Sequence, residues 1–343
     1  MKAAIGMTAL ALGTLGFLGA GPAWAQASSA TLFGTVDLAA THLSNGGGST
    51  SGMSHSGGNI SRIGLRGTED LGSGYGAGFW FESGLNAKDG SAGGPAGNFW
   101  NRRATVSLTG PFGELRLGRD DSATFLNTLI FDPFLTNGVA GTNTFVMNGA
   151  PIQISNAVSY FLPKNLGGFY GQLQYAWGPA STPTSKAYHG FRGGYASGPL
   201  SLSLAAAQLD FNGAGALKIA NLGASYDFGV IKPALIWAQE KRDGGPAVRG
   251  IQLGASANFG PHMVRASIGD YRTSGGAADA NWRKLGIGYA YNLSKRTMLY
   301  ASAGYVMNSK GANRAVSAQG MTVPVNTLGH SASGFDIGLR HFF

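Results

Sequence analysis

Apolar and polar residues alternate along most of the chain with a period of two, as in β-strands that have one face against apolar material and the other against water. The C-terminal segment is the clearest case, because Phe335, Ile337 and Leu339 fall on one side while Asp336 and Arg340 fall on the other. The same alternation predicts sixteen strands, which begin near residues 30, 60, 75, 98, 113, 152, 168, 187, 199, 218, 231, 247, 262, 281, 296 and 334.

The predicted connections between these strands alternate in length. Short segments rich in Gly, Pro, Asn or Asp, which suit tight hairpins, lie at residues 71–74, 110–113, 165–168, 197–199, 227–229, 258–261 and 292–295. Longer Gly/Ser/Asn-rich loops lie between them, and the largest span about 42–59, 120–151 and 308–333. Short turns on one rim, long loops on the other and an even number of strands are typical of a transmembrane β-barrel.

Charges on the predicted inner faces distinguish such a barrel from a soluble sandwich or propeller, the main alternative. Outer positions are large and apolar, whereas the inner positions carry Asp37, Arg62, Arg66, Glu82, Arg103 and Arg116. A dry core could not hold so many charges, because burying an unpaired charge is strongly unfavourable. A water-filled lumen could hold them. We therefore predict an all-β fold, a 16-stranded antiparallel transmembrane β-barrel with short periplasmic turns and long extracellular loops.

The N-terminus and the absence of Cys indicate export and a fold without disulfides. Lys2 precedes an apolar run of small residues that ends in Ala23-Trp24-Ala25, an A-x-A cleavage motif, and together these are the parts of a signal peptide. We expect cleavage of residues 1–25 and a barrel formed by residues 26–343; an uncleaved N-terminal anchor is the alternative. No later apolar run approaches the roughly 20 residues that a membrane-spanning helix needs.

Charge and motifs weigh against an enzyme. The formal net charge of +9 suits anionic lipid headgroups or anionic solutes, and for an exported chain nucleic acid is not an expected partner. The six His residues are scattered without metal-ligand spacing, and Gly72-Ser73-Gly74 has the chemistry of a turn rather than of a nucleophile motif. We expect no catalytic residue, cofactor or metal, although an outer-membrane barrel enzyme stays an alternative.

Four segments resemble the Gram-negative general-diffusion porins of the β-proteobacterial type. They are Thr31–Asp37, Ser61–Gly72, Gly113–Arg119 and Tyr291–Thr297, and the terminal Phe343 completes the likeness. The resemblance implies a homotrimer of barrels in the outer membrane, in contact with its lipid and lipopolysaccharide. It also implies that each pore is narrowed by a third loop folded inward, here 120–151, and that the outer-membrane assembly machinery recognises the terminal aromatic residue.

The predicted pore lining is a basic wall opposite an acidic loop. The wall residues are Arg62, Arg66, Glu82, Arg102, Arg103 and Arg116, and the loop residues are Asp120, Asp121 and Asp132. Arg62 and Arg66 share a face because they lie four residues apart on one strand. Arg102 falls on the apolar face by strict alternation, but a residue at a strand end can still reach inside. The loop contains no Lys or Arg.

Opposed charges across the narrowest point select ions by sign and size. We expect passive diffusion of small hydrophilic solutes and ions, with a weak preference for anions because arginines outnumber acidic partners.

Several alternatives stay open: the arginines pair with Glu69, Glu82 and Glu114; the three Asp serve as turn residues; or the barrel is an adhesin. Gln153, where certain anion-selective relatives have Arg, argues against anion preference. A substrate-specific porin for a small anionic or sugar solute is the main rival, although only Trp80 and Tyr300 are predicted as inward aromatic residues.

Overall fold

The computed structural model describes residues 29–94, 98–142, 149–181, 185–213, 215–275 and 280–343. The predicted signal peptide lies outside these residues. The strands are β1 (Ser29–Asn45), β2 (Gly48–His55), β3 (Arg62–Gly72), β4 (Tyr75–Asn86), β5 (Ser91–Ala92), β6 (Arg103–Gly110), β7 (Gly113–Asp121), β8 (Gln153–Phe161), β9 (Phe169–Ala176), β10 (Ser185–Ser197), β11 (Leu200–Phe211), β12 (Ala216–Tyr226), β13 (Ile231–Arg242), β14 (Ala247–Phe259), β15 (His262–Ser274), β16 (Trp282–Asn292), β17 (Thr297–Asn308) and β18 (Ala332–Phe342), and the helix α1 spans Ala123–Phe131. No helix in this part of the chain is long and apolar enough to cross a bilayer.

Antiparallel pairing closes these strands into a barrel. On one edge β1 pairs with β18, and on its other edge it pairs with β2 and then with β3, which lie end to end and act as one barrel strand. The two-residue β5 pairs with β4 in a sheet of its own. Setting β5 aside and counting β2 and β3 together gives the sixteen strands that the alternation predicts, which confirms the fold class. Because the first and last strands pair, the sheet leaves no open edge.

Two boundaries differ from the sequence prediction. Residues 48–55 were expected within a loop of residues 42–59, yet they form β2, which extends the barrel wall by pairing with the end of β1. The sequence does not predict β2, because the segment is polar and shows no alternation of apolar and polar residues. The fourth barrel strand begins at Arg103 rather than near 98, because the side chain of Asn101 instead accepts a hydrogen bond of 2.8 Å from the backbone N–H of Gly84.

The polarity of the wall reverses near the rim that carries the long loops, named here the loop rim; the opposite rim is the turn rim. Over most of the wall the outward residues are apolar, such as Ile287 and Ile337, which are 61% and 62% exposed. At the loop rim Lys218 and Arg283 point outward, whereas their neighbours Leu217 and Trp282 point inward and are buried. The inner face of each strand therefore meets water over only part of its length.

Two apolar clusters explain this reversal. One joins Tyr271, Trp282 and Val306 of the wall to Val139 of the third loop and Val316 of the last loop. The other gathers wall residues of β8 to β12: Ile154, Ala157, Ala176, Tyr188, Ala207, Leu209, Leu217 and Ile219, with Ala180 from the connection after β9. Near the loop rim, inward side chains are thus covered by folded loops rather than by water. The prediction that each strand has one wet face holds closer to the turn rim.

The C-terminus is fastened to the first strand. The backbone N–H groups of Gly34 and Phe343 each donate a 3.1 Å hydrogen bond to the carbonyl oxygen of the other residue. The Phe343 ring occupies the space that a side chain at position 34 would take. Glycine at this position therefore lets the terminal aromatic residue lie flat against the seam between the first and last strands.

Replacing Gly34 by Val is expected to push the Phe343 ring off the wall and lower the free energy of unfolding by about 1–3 kcal/mol, the usual effect of overpacking. Urea unfolding in detergent micelles measures this difference. Gly193→Val is the matched control, because a side chain at position 193 of β10 meets open space. Equal stability of the two variants would contradict the role given to Gly34.

Candidate pore constriction

The third loop crosses the inside of the barrel. It starts with α1, whose N-cap is Ser122; the Ser122 hydroxyl accepts a 3.2 Å hydrogen bond from the backbone N–H of Phe125. Beyond α1 the chain reaches the opposite wall, where the space above Gly223 of β12 is filled by Phe131 and the space above Gly254 of β14 by Pro133. The wall glycines thus make room for the loop, and the loop narrows the lumen as predicted.

Asp132 holds this crossing together. Its carboxylate accepts hydrogen bonds from the backbone N–H groups of Phe134 (3.2 Å), Thr136 (2.7 Å) and Thr142 (3.1 Å). It also accepts bonds of 3.1 Å from the hydroxyl of Thr142 and of 3.2 Å from Nε2 of Gln252 in β14. Asp132 is buried, so it fixes the shape of the loop. The expectation that it presents negative charge to the pore is not supported by its surroundings.

Asp120 and Asp121 lie at the end of β7, which corrects their placement in the loop. Asp120 forms ion pairs with Arg103, at 3.5 Å, and with Arg116. Asp121 accepts a 2.9 Å hydrogen bond from Nε2 of Gln153 on the adjacent strand β8. Both carboxylates therefore engage neighbours in the wall, because the strand runs further toward the loop rim than the sequence suggested.

Glu82 joins two wall arginines. One of its oxygens, Oε1, lies 3.1 Å from Arg62 and 2.5 Å from Arg102, and the backbone N–H of Arg102 donates a 3.1 Å bond to the carbonyl of Glu82. Arg102 precedes β6, so the strict alternation that placed it outside does not apply, and its side chain reaches the inner face. Of the alternative pairings considered from the sequence, Glu82 and Glu114 form ion pairs with wall arginines.

Asp37, which the alternation places inside, is covered by the segment that joins β2 to β3. Its carboxylate accepts hydrogen bonds from the backbone N–H groups of Gly57 (3.2 Å), Gly58 (2.9 Å) and Asn59 (2.7 Å), and from the hydroxyl of Tyr300 (2.6 Å). It is fully buried. Asp37 therefore shapes the first loop, and it presents no charge to passing solutes.

A cavity of about 450 Å³ lies between the arginine wall and the third loop. Arg62 and Arg102 line one side, Phe125 and Leu129 line the loop side, and residues 317–319 of the last loop close it toward the loop rim. No Asp or Glu is among the lining residues that the structure describes. The narrow part of the lumen thus has guanidinium groups facing an apolar and neutral loop surface, rather than the acidic surface predicted from the sequence.

Aromatic side chains lie beside the wall arginines, and sequence reasoning missed most of them. The ζ-carbon of Arg66 lies 5.2 Å from the ring centre of Phe33 and 5.0 Å from that of Trp80. Arg103 lies 4.3 Å from the Trp80 ring, and Arg116 lies 4.2 Å from Phe161. The alternation with Leu32 and Val36 outside already implied that Phe33 points inward, so the signal was available in the sequence.

Comparison with known proteins gives consistent matches over most of the chain. The sequence pattern of a family described as Gram-negative porin matches residues 6–311. Outer membrane porin protein 32 of Delftia acidovorans is 37% identical over 347 residues, which cover 94% of this chain and 96% of that protein. An outer membrane porin of Bordetella pertussis is 30% identical over 311 residues, with 73% of this chain and 77% of that protein covered. A solved structure of an anion-selective porin from Comamonas acidovorans aligns with a TM-score of 0.82 and 34% identity, covering 92% of this chain and all of that one.

Proposed function

Because this chain belongs to the Gram-negative porin family, and is thus an outer-membrane channel rather than an enzyme, we propose that it is a general-diffusion pore with a preference for small hydrophilic anions. The observation that carries the proposal is the cavity beneath the last loop, which is lined by Arg62 and Arg102 and by no carboxylate of the described residues. In a narrow aqueous passage with low-dielectric walls, fixed charges of one sign raise the local concentration of ions of the other sign.

The balance of charge on the wall supports the same preference. At the end of β7, Arg119 and Asp121 add one charge of each sign. The five arginines at positions 62, 66, 102, 103 and 116 share this part of the wall with three other carboxylates, those of Glu82, Glu114 and Asp120. Five minus three leaves two positive charges. The loop opposite adds no compensating charge to the cavity, because Asp132 is turned into the loop. The relative from Comamonas acidovorans, which carries the description anion-selective, agrees with this sign.

Assembly and location complete the proposal. Members of the porin family form trimers, and we extend this to the present chain as a homotrimer in contact with outer-membrane lipid and lipopolysaccharide. Export through a signal peptide at residues 1–25 and recognition of Phe343 by the assembly machinery remain predictions. With the Phe343 ring 46% exposed on the outer face, a receptor could reach it before the barrel enters the bilayer.

Reversal potentials across a planar bilayer in a KCl gradient test the proposed preference. The intact pore is expected to be anion-selective, and Glu82→Gln is expected to raise its chloride-to-potassium permeability ratio about two- to threefold, the effect of one unit charge acting through water over several ångströms. Glu69→Gln is the control, because it removes the same charge from an exposed position near the turn rim. A cation-selective intact pore, or a Glu82 variant that behaves like the control, would overturn the proposal.

A further inference from the structure

Arg66 differs from Arg62, Arg102, Arg103 and Arg116, the other arginines that the sequence places in the basic wall. Arg62, Arg103 and Arg116 each form an ion pair with a wall carboxylate. Within the described part of the chain Arg66 forms no ion pair, and its side chain is exposed to the lumen. Its neighbours are instead the two rings of Phe33 and Trp80, whose centres lie 5.3 Å apart with their planes at 71°. A guanidinium group supported by aromatic rings is thus open on the side that faces the solute path.

The sequence positions these three residues by a specific arrangement of neighbouring strands. Arg66 of β3 lies directly opposite Trp80 of β4, and Phe33 of β1 lies opposite Gly64. Because Gly64 has no side chain, the Phe33 ring can lie over it and reach the neighbourhood of Trp80. Trp80 is held in turn by a 3.4 Å hydrogen bond from Nε1 to Oε2 of Glu82.

The location places this group on the route of a solute that has passed the cavity. Arg66 follows Arg62 by four residues on β3, which is about 13 Å along a strand toward the turn rim. An anion that leaves Arg62 therefore meets Arg66 next. Further Arg–aromatic pairs follow around the wall, since Arg116 lies over Phe161 and Arg192 lies 4.8 Å from the ring centre of Tyr170.

We propose that Arg66, Phe33 and Trp80 form a binding site for small aromatic carboxylates. The carboxylate would accept charge-assisted hydrogen bonds from the free edge of the Arg66 guanidinium. The aromatic ring of the solute would pack against Trp80, beside Phe33, in an offset or edge-to-face arrangement. This inference rests on the proposed anion-selective pore and adds a solute class to it, because an aliphatic anion could use only the first of these two contacts.

Benzoate and cyclohexanecarboxylate, which match in charge and closely in size, test this site in single-channel recordings. In the intact pore, benzoate is expected to reduce the chloride current with a half-effective concentration about fivefold below that of cyclohexanecarboxylate, in line with one aromatic contact. Trp80→Leu is expected to abolish this difference, and Trp80→Phe to keep most of it. Arg66→Gln is expected to weaken the effect of both acids.

Arg272→Gln serves as the control, because it removes the same charge from a side chain that is 76% exposed on the outer face. The chloride current of each variant before the acid is added verifies that the variant has folded into an open pore. Equal action of the two acids on the intact pore, or a Trp80→Leu variant that still distinguishes them, would overturn the site. If the pore excluded anions altogether, the proposed function itself would fail, and reversal potentials separate that outcome from the others.

Discussion

Replacement of Arg62, Arg66 and Arg103 together by Gln is expected to lower the chloride-to-potassium permeability ratio by about tenfold or more, and to turn an anion-preferring pore into a cation-preferring one. Among the wall groups counted above there are two more arginines than carboxylates, so removing three positive charges leaves these groups with a net charge of minus one. Glu82 and Asp120 each keep one arginine partner, Arg102 and Arg116. A tenfold change in the ratio corresponds to about 1.4 kcal/mol, which three charges in a narrow passage readily supply.

The control for this experiment is a second triple variant in which Arg249, Arg272 and Arg283 are replaced by Gln. These arginines point outward at the loop rim, so the variant has the same net charge as the first but an unchanged lumen. Reversal potentials in the same KCl gradient compare the two. Similar shifts in both variants would mean that selectivity follows the overall charge of the protein, and the arginine wall would lose its assigned role.

Asp132→Ala is expected to give a pore with roughly twice the single-channel conductance and with large current fluctuations. The substitution leaves three backbone N–H groups, the Thr142 hydroxyl and the Gln252 amide without their common acceptor. Unsatisfied buried donors cost on the order of 1–3 kcal/mol each, so the folded loop loses its advantage over open arrangements. Released from the opposite wall, the crossing segment no longer holds the passage at its narrow width.

Current histograms from single channels measure both quantities. Asp89→Ala is the control, because Asp89 accepts hydrogen bonds from the backbone and side chain of Ser91 in an exposed loop and is not among the described residues that line the lumen cavity. A steady current of the original size in the Asp132 variant would show that packing of Phe131 and Pro133 alone fixes the loop.

The alternation of residues predicts the barrel well because two opposed solvents act on each strand. Lipid selects Ile337 and Leu339 on one side of the last strand, and the inner face of the barrel accepts Asp336 and Arg340 on the other. The pattern fails where that opposition ends. Leu217 points inward because folded loops cover it, and β2 carries no pattern because polar residues serve on both of its faces.

The candidate site was predicted less completely, because side-chain partners are set by three-dimensional neighbours. The inner positions of Arg62, Arg66 and Glu82 follow from spacing alone. The partner of Arg102 depends on where β6 begins, and the buried position of Asp132 depends on a loop that crosses to β14. Neither relation leaves a local signal. The acidic surface of the third loop was inferred from composition, which counts carboxylates but does not tell which way they turn.

The reversal of polarity at the loop rim has a consequence for how the molecule resists denaturation. Below the reversal, the wall needs an apolar medium on its outside, so detergent or bilayer contributes to its integrity. Above it, Tyr271, Trp282, Val306 and Val316 are sheltered from every solvent by the protein itself, as in an ordinary water-soluble domain. The part of the barrel near the turn rim and the part near the loop rim are therefore stabilised in different ways. When a mild detergent is exchanged for a harsh one, we expect the part near the turn rim to lose its folded structure first.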